Sequence, residues 1–142
     1  MTNRSKSTLF LIEQLIVIAV FAICAAACIS ILTAAYFNAS DSSAASHAIL
    51  RAESAAEVFK ATGGDGNTVA EVLSGTYNTR SGHSTVTVHY DNDWQLSHEV
   101  YASYMLSITY YATAESIIEA ELTVERITGE ELVSFPLAAR KR

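Results

Sequence analysis

The chain has 142 residues, of which 50% are hydrophobic, and a formal net charge of −6 at neutral pH. This charge is unevenly distributed, because residues 1–8 carry two bases and no acid, whereas residues 41–142 carry fourteen acids and seven bases, a net charge of −7. A nucleic-acid-binding protein needs a basic surface to neutralise phosphates. The short basic group Arg140, Lys141 and Arg142 is too small to supply one, so nucleic acid is excluded as an expected partner.

The dominant feature is the stretch 9–37, which is apolar and holds one ionisable residue, Glu13. At about 1.5 Å per helical residue, the uncharged run from Leu15 to Phe37 is long enough to cross a hydrocarbon core about 30 Å thick. Residues 9–37 are therefore predicted to form a transmembrane helix. The bases of residues 1–8 predict a cytoplasmic leader, and hence an acidic domain on the opposite, extracytoplasmic side.

A cleaved signal peptide and a lipoprotein anchor at Cys28 are the alternatives for the same stretch. Both are disfavoured, because the chain stays apolar well beyond Cys28 and because Glu13 and Gln14 would interrupt the apolar core of a signal peptide. The two cysteines of the chain, Cys24 and Cys28, share a helix face at i, i+4. With no other ligand type nearby, we expect them to be small packing residues rather than a metal site.

The residues LFLIEQLIVIAV, which begin at Leu9, resemble the amino-terminal segment of type IV pilins and of the pseudopilins of type II secretion and DNA-uptake machines. In that family a basic leader precedes an apolar helix with a Glu at its fifth mature residue. Placing Glu13 on that acid makes Leu9 the first mature residue and Thr8 the residue before the cleaved bond. Thr8 departs from the family pattern, which has Gly or sometimes Ala there, and Gln14 is more polar than usual.

The resemblance implies a role for each of these residues. Thr8 and Leu9 would flank the bond cut by a prepilin peptidase, with N-methylation at Leu9, and Glu13 would set the register between neighbouring subunits. The implied partners are other pilin-like subunits, an assembly platform protein, an assembly ATPase and the peptidase, together with membrane lipid. The protein would be a minor or initiating subunit of a filament that reaches the cell surface, and it would need no cofactor.

Helical periodicity continues after the membrane segment, with small apolar residues recurring from Ala44 to Lys60. No Gly or Pro precedes Gly63, so residues 38–61 are predicted to continue the helix, with its weakest point at the polar stretch 38–43. A glycine-rich loop should end it. A short helix is expected next, from Thr68 to Leu73, with Thr68 as its cap and Glu71 as the capping-box partner.

The remaining chain alternates with a period of two and predicts an antiparallel sheet covered on one side. The expected strands are Ser84 to Tyr90, a hairpin partner starting at Trp94, Tyr104 to Tyr110, Ile118 to Val124, and Leu132 to Ala139. Pro136 cannot donate a hydrogen bond to a neighbouring strand, so the last of these is predicted to be an edge strand or to bend there. The predicted fold class is therefore α+β: a long N-terminal membrane-spanning helix packed on a small antiparallel sheet, within an extracytoplasmic domain at 62–142.

No set of residues predicts catalysis, so an enzyme is not expected. As a zinc site, His83 and His89 lack a third ligand at useful spacing in the sequence, for which His98 or Asp91 is the candidate. Asp91 and Asp93 offer two oxygens for calcium but lack the rest of a calcium loop. The glycine-rich loop lacks the strand and the Lys-Ser or Lys-Thr of a phosphate site. The seven tyrosines with Trp94 are more typical of strand packing than of a binding platform. The alternative function is an unprocessed single-pass anchor that displays a surface binding module.

Overall fold

The computed structural model describes residues 2–80, 82–111 and 116–141, with side chains from Lys6 onward. The chain divides into two compact units, residues 1–42 and residues 43–142. The first unit is helical in its described part, and the second contains the end of the same helix, a shorter helix and a five-stranded sheet. The predicted α+β class, with a long apolar N-terminal helix and an antiparallel sheet, is confirmed.

Helix α1 runs over Thr2–Ala61. It begins before Leu9, the predicted start, and it stays helical through the polar stretch 38–43, because nothing in these residues breaks a helix. It ends where Gly63 adopts a left-handed φ of 65° and the amide of Gly64 donates to the Phe59 carbonyl at 2.8 Å. This is the glycine termination that satisfies the last carbonyls of a helix.

Helix α2 covers Gly66–Leu73, and its cap differs from the predicted one. Asp65, with an extended backbone, accepts a hydrogen bond from the amide of Thr68 at 3.0 Å, so Asp65 and not Thr68 is the N-cap. The predicted pairing of Thr68 with Glu71 was wrong, because the carboxylate three residues upstream already satisfies that amide.

The sheet is an antiparallel meander whose neighbours follow chain order from β1 to β5. The order leaves β1 and β5 at the edges, as predicted for the strand that holds Pro136. The strands are β1 Thr76–Arg80, β2 His83–Tyr90, β3 Tyr104–Tyr110, β4 Ile117–Arg126 and β5 Glu131–Arg140.

Two strand assignments were wrong. β1 was missed, because its sequence TYNTR has no alternation of apolar and polar residues and only Tyr77 is half-buried. The strand expected from Trp94 is reduced to one bridge between Tyr90 and Leu96, followed by a short 3₁₀ helix at Glu99–Tyr101. Trp94 itself has a left-handed φ of 58°, which a strand does not allow.

The core of the second unit lies between one face of α1 and one face of the sheet. The α1 face consists of small alanine side chains at helical spacing, and it ends at the fully buried ring of Phe59. The sheet contributes alternate residues of β2, β3, β4 and β5. The buried core includes Ala44, Ala48, Ala52, Ala55 and Phe59 of α1, Val69 and Ala70 of α2, and Val86, Val88, Leu106, Ile108, Ala120, Leu122, Val124, Leu137 and Ala139 of the sheet.

The other face of the sheet is hydroxylated. One row of facing residues crosses all five strands, through Thr76, Thr87, Ser107, Thr123 and Ser134. The hydroxyls of Thr123 and Ser134 lie 3.2 Å apart. Threonine and serine are common on the solvated face of a strand, so this row explains the period of two in the sequence without requiring a ligand.

Candidate functional site

The candidate site is the apolar part of α1 in the first unit. Its large side chains are exposed throughout, from Leu9 to Phe37, and include Leu15, Phe21 and Leu32. By length and composition, this helix is able to cross a membrane. An exposed apolar surface of this extent is unfavourable in water, whereas a bilayer solvates it.

Two hydroxyl groups in this segment, those of Ser30 and Thr33, are satisfied within the helix. Ser30 Oγ donates to the Ala26 carbonyl at 2.9 Å, and Thr33 Oγ1 donates to the Ile29 carbonyl at 2.8 Å. Such bonds to the carbonyl four residues earlier satisfy these two hydroxyl donors without water. Ser30 and Thr33 are therefore compatible with an apolar surrounding, and Glu13 remains the one residue of the run that is charged at neutral pH.

Thr8, Leu9 and Glu13 all lie on α1, and Glu13 is one helical turn beyond Leu9. The carboxylate of Glu13 is exposed, and among the described residues none pairs with it or donates a hydrogen bond to it. The peptide bond between Thr8 and Leu9 is inside the helix. A peptidase would therefore have to unwind the helix locally to reach this bond.

The residues weighed for metal binding are not brought together. Cys24 and Cys28 are free and exposed. Over the described ranges, no group of three or more His, Cys, Asp or Glu side chains is arranged to hold a metal ion. His89 lies on β2 and lines an open groove of about 470 Å³ with His98, which follows Ser97 in the loop after β2.

The carboxylate of Asp91 has a structural use. Its Oδ1 accepts hydrogen bonds from the amides of Asp93 and Gln95, each at 2.9 Å, and so closes the turn after β2. This is the side-chain turn that Asp commonly forms with the backbone following it. The predicted turn at Asp91 to Asp93 is therefore present, with its oxygen engaged in the protein's own backbone.

Trp94 is the centre of an aromatic cluster that joins this turn to α1. Its ring stacks on Tyr104 with centroids 4.1 Å apart and on His47 at 5.8 Å. Arg51 Nη2 donates to the Trp94 carbonyl at 2.7 Å, and its guanidinium lies 5.2 Å from the centre of the Tyr90 ring. Stacking and the cation–π contact together hold the turn against the helix.

The burial of this cluster shows whether its rings form a binding platform or pack the domain. Tyr90, Trp94 and Tyr104 are buried, so they pack the domain rather than present a face to a ligand. Burial raises the pKa of Tyr90 above its ordinary value, and the nearby Arg51 charge opposes this only in part. Sequence reasoning missed His47 and Arg51, because their partners are more than forty positions away and no local pattern indicates such a contact.

The opposite end of the domain holds a second aromatic group. Tyr110 packs at 5.8 Å from Phe59 and at 6.3 Å, edge to face, from Tyr77. Its hydroxyl is buried and finds no hydrogen-bond partner among the residues that the structure describes. Burial, followed by the proximity of Tyr77 and Asp65, raises the pKa of Tyr110 strongly, so this phenol stays neutral.

Comparison of the chain with protein-family models, curated proteins and solved structures finds no match in any of the three. The class of protein is therefore defined by the structure alone. It is an α+β protein with one N-terminal helix that is long and apolar enough to span a membrane, and with a five-stranded antiparallel sheet after it.

Proposed function

We propose that the chain is a structural subunit of a type IV pilus-like or pseudopilus-like assembly, acting as a minor or initiating pilin-like protein rather than as an enzyme. The observation that carries the proposal is the single acid, Glu13, exposed on an otherwise apolar helix one turn beyond Leu9. The resemblance of the segment LFLIEQLIVIAV to pilins supports it. The order of a long helix followed by a small antiparallel sheet is the layout expected of such a subunit.

The mechanism depends on a new charge created by processing. Cleavage between Thr8 and Leu9 gives Leu9 a free α-amino group, which carries a positive charge at neutral pH. A lone carboxylate at the bilayer centre costs about 2.5 to 3.5 kcal/mol or more. Pairing the Glu13 carboxylate of one subunit with the amino group of its neighbour offsets this cost, and it fixes the axial stagger between the two helices.

The proposal also includes the orientation of the protein in the membrane. The bases Arg4 and Lys6 keep the N-terminus in the cytoplasm, so the acidic sheet domain lies outside it. The proposed partners are like subunits, an assembly platform protein, an assembly ATPase and a prepilin peptidase. The lipid bilayer holds the subunit before assembly.

A second candidate is an unprocessed single-pass anchor that displays the sheet domain at the surface. The observation in its favour is the bond between Thr8 and Leu9, which lacks the small residue of the family pattern and is inside α1. In this case Glu13 has no neighbouring amino group to pair with. The protein would then bind a partner through its domain without joining a filament.

The role of Glu13 is tested first by removing its carboxylate and then by moving the carboxylate to the next position. We expect Glu13→Gln to leave membrane insertion intact and to abolish recovery of the protein in sheared filament fractions. The double variant Glu13→Gln with Gln14→Glu restores the charge but rotates it about 100° around the helix. We expect it to fail in the same way. Wild-type recovery of the double variant would show that only the presence of an acid matters, and would remove the registering role.

A further inference from the structure

Four exposed apolar side chains lie at one end of the sheet domain. Val100 and Tyr101, which are 84% and 77% exposed, lie on the 3₁₀ helix between β2 and β3, and Leu96 precedes them. Ile127, 49% exposed, follows β4. The two loops are joined by a hydrogen bond from the Ile127 amide to the Ser103 carbonyl at 3.0 Å. We call these four residues the apolar loop cluster.

The apolar loop cluster is at the end where the chain enters the domain. The first buried residue of the second unit is Ala44, and the β2–β3 loop contacts α1 close to it, through His47 and Arg51. The other end of the domain is marked by Phe59 and its contact with Tyr110, where α1 stops. Strand β2 runs from that end towards the entry, so the loop that follows it lies at the entry end.

The chain enters this end of the domain a few residues after the apolar run of α1. The run ends at Phe37, and only residues 38–43 separate it from Ala44. These six residues span about 9 Å as a helix, and no more than about 22 Å if fully extended. A headgroup layer is about 5 to 8 Å thick, so a bilayer that holds the run brings its surface within reach of this end of the domain.

We propose that the apolar loop cluster rests on the lipid bilayer surface and docks the sheet domain there before assembly. This rests on the membrane anchoring in the proposed function, but not on processing or filament formation. Valine, leucine and isoleucine side chains gain free energy by entering the headgroup boundary, and tyrosine is enriched at this depth. Continuity with the membrane segment is what selects lipid over another protein as the occupant.

The charges around the apolar loop cluster select the type of lipid. Asp93 and Glu99 are exposed on the same loop, and Glu130 on the neighbouring one pairs with Arg126 at 3.2 Å. Because Arg126 neutralises Glu130, Asp93 and Glu99 are the carboxylates that anionic headgroups repel, so the cluster fits a zwitterionic surface. Phosphatidylcholine vesicles are therefore the appropriate probe.

The test compares two isoleucines at opposite ends of β4. Ile127 belongs to the apolar loop cluster, and Ile117, 44% exposed, lies at the other end of the strand. In full-length protein with Cys24 and Cys28 replaced by alanine, Ile127→Cys and Ile117→Cys are each labelled with an environment-sensitive fluorophore. Both are reconstituted in phosphatidylcholine vesicles containing a spin-labelled lipid quencher, and vesicle flotation is measured in parallel.

We expect the label at position 127 to be blue-shifted and strongly quenched, and the label at position 117 to be neither. Adding Val100→Asp and Tyr101→Asp should remove the quenching at 127 without reducing flotation. Equal quenching at the two positions, with the protein floating, would overturn the docking proposal and leave membrane anchoring intact. A blue shift that follows protein concentration without lipid quenching would instead identify a second copy as the occupant. Failure to float would contradict the anchoring itself.

Discussion

Thr8 and Glu13 are the two residues on which the proposed function depends most. In that proposal the charge of Glu13, which is costly in an apolar helix, is paired only if the bond after Thr8 is cut. Both are on the same continuous helix, so neither is distinguished by its backbone. Their importance comes from the medium around them, because a carboxylate that is unremarkable in water becomes costly in hydrocarbon.

Replacing Thr8 with glycine tests the residue before the proposed cleavage site. Glycine loosens the helix at this point and matches the pilin pattern, so we expect Thr8→Gly to raise the processed fraction when the chain is expressed with a prepilin peptidase. Ser7→Gly is the matched control, because it loosens the same turn one position away from the bond. Intact mass gives the processed fraction. An equal rise in both variants would attribute the effect to helix loosening alone.

The cap of α2 gives a prediction about stability and pH. Hydrogen bonds from the Thr68 side chain and then from its amide hold the pKa of Asp65 below its ordinary value of 3.8. A lowered pKa contributes stability above the unfolded-state value and loses it as the pH falls through the folded-state value. We expect Asp65→Ala to lower the free energy of unfolding by about 1 kcal/mol at neutral pH.

Measuring the same unfolding free energies at low pH separates the contribution of the Asp65 charge from that of its capping hydrogen bond. The gap between wild type and Asp65→Ala should narrow below a pH of about 4, whereas Asp65→Asn, which caps without titrating, should show no such change. Urea unfolding in detergent micelles, followed by the fluorescence of the single tryptophan, Trp94, measures both. A difference in unfolding free energy between wild type and Asp65→Ala that does not change with pH would show that the charge of Asp65 does not contribute to the cap.

At the scale of elements, the sequence predicts structure where its pattern is periodic and uninterrupted. The course of α1 could be predicted because no Gly or Pro precedes Gly63, and β3, β4 and β5 because their apolar residues alternate. β1 could not, since its place at the sheet edge comes from pairing with β2 rather than from its own residues. The turn at Trp94 likewise depends on a hydrogen bond from Arg51, which is 43 positions away in the sequence and cannot be predicted from the residues around Trp94.

The alanine face of α1 predicts how this element responds to a larger side chain. Ala48 is fully buried against the sheet, so Ala48→Leu should overpack the interface and cost about 1 to 3 kcal/mol of unfolding free energy. Ala61→Leu is the control, because Ala61 is exposed on the same helix. Thermal unfolding monitored at Trp94 compares the two. Equal melting temperatures would mean that α1 does not pack closely on the sheet.

At the scale of the whole molecule, the chain has one surface suited to lipid and another suited to water. Residues 9–37 expose an apolar surface suited to lipid, whereas residues 43–142 form a domain with its own core and an acidic exterior. The candidate site could be located from sequence, because one charge in a long apolar run is visible without a structure. The apolar loop cluster could not, since Leu96, Val100 and Tyr101 in one loop and Ile127 in another are brought to the same end of the domain only by the fold.

The proposal of a processed filament subunit is tested most directly by the intact mass of the protein from membranes of cells with and without a prepilin peptidase. We predict a mature chain that starts at Leu9 and is found only when the peptidase is present. An unchanged full-length chain in both kinds of cell would contradict processing, and would leave the chain as a fixed single-pass anchor.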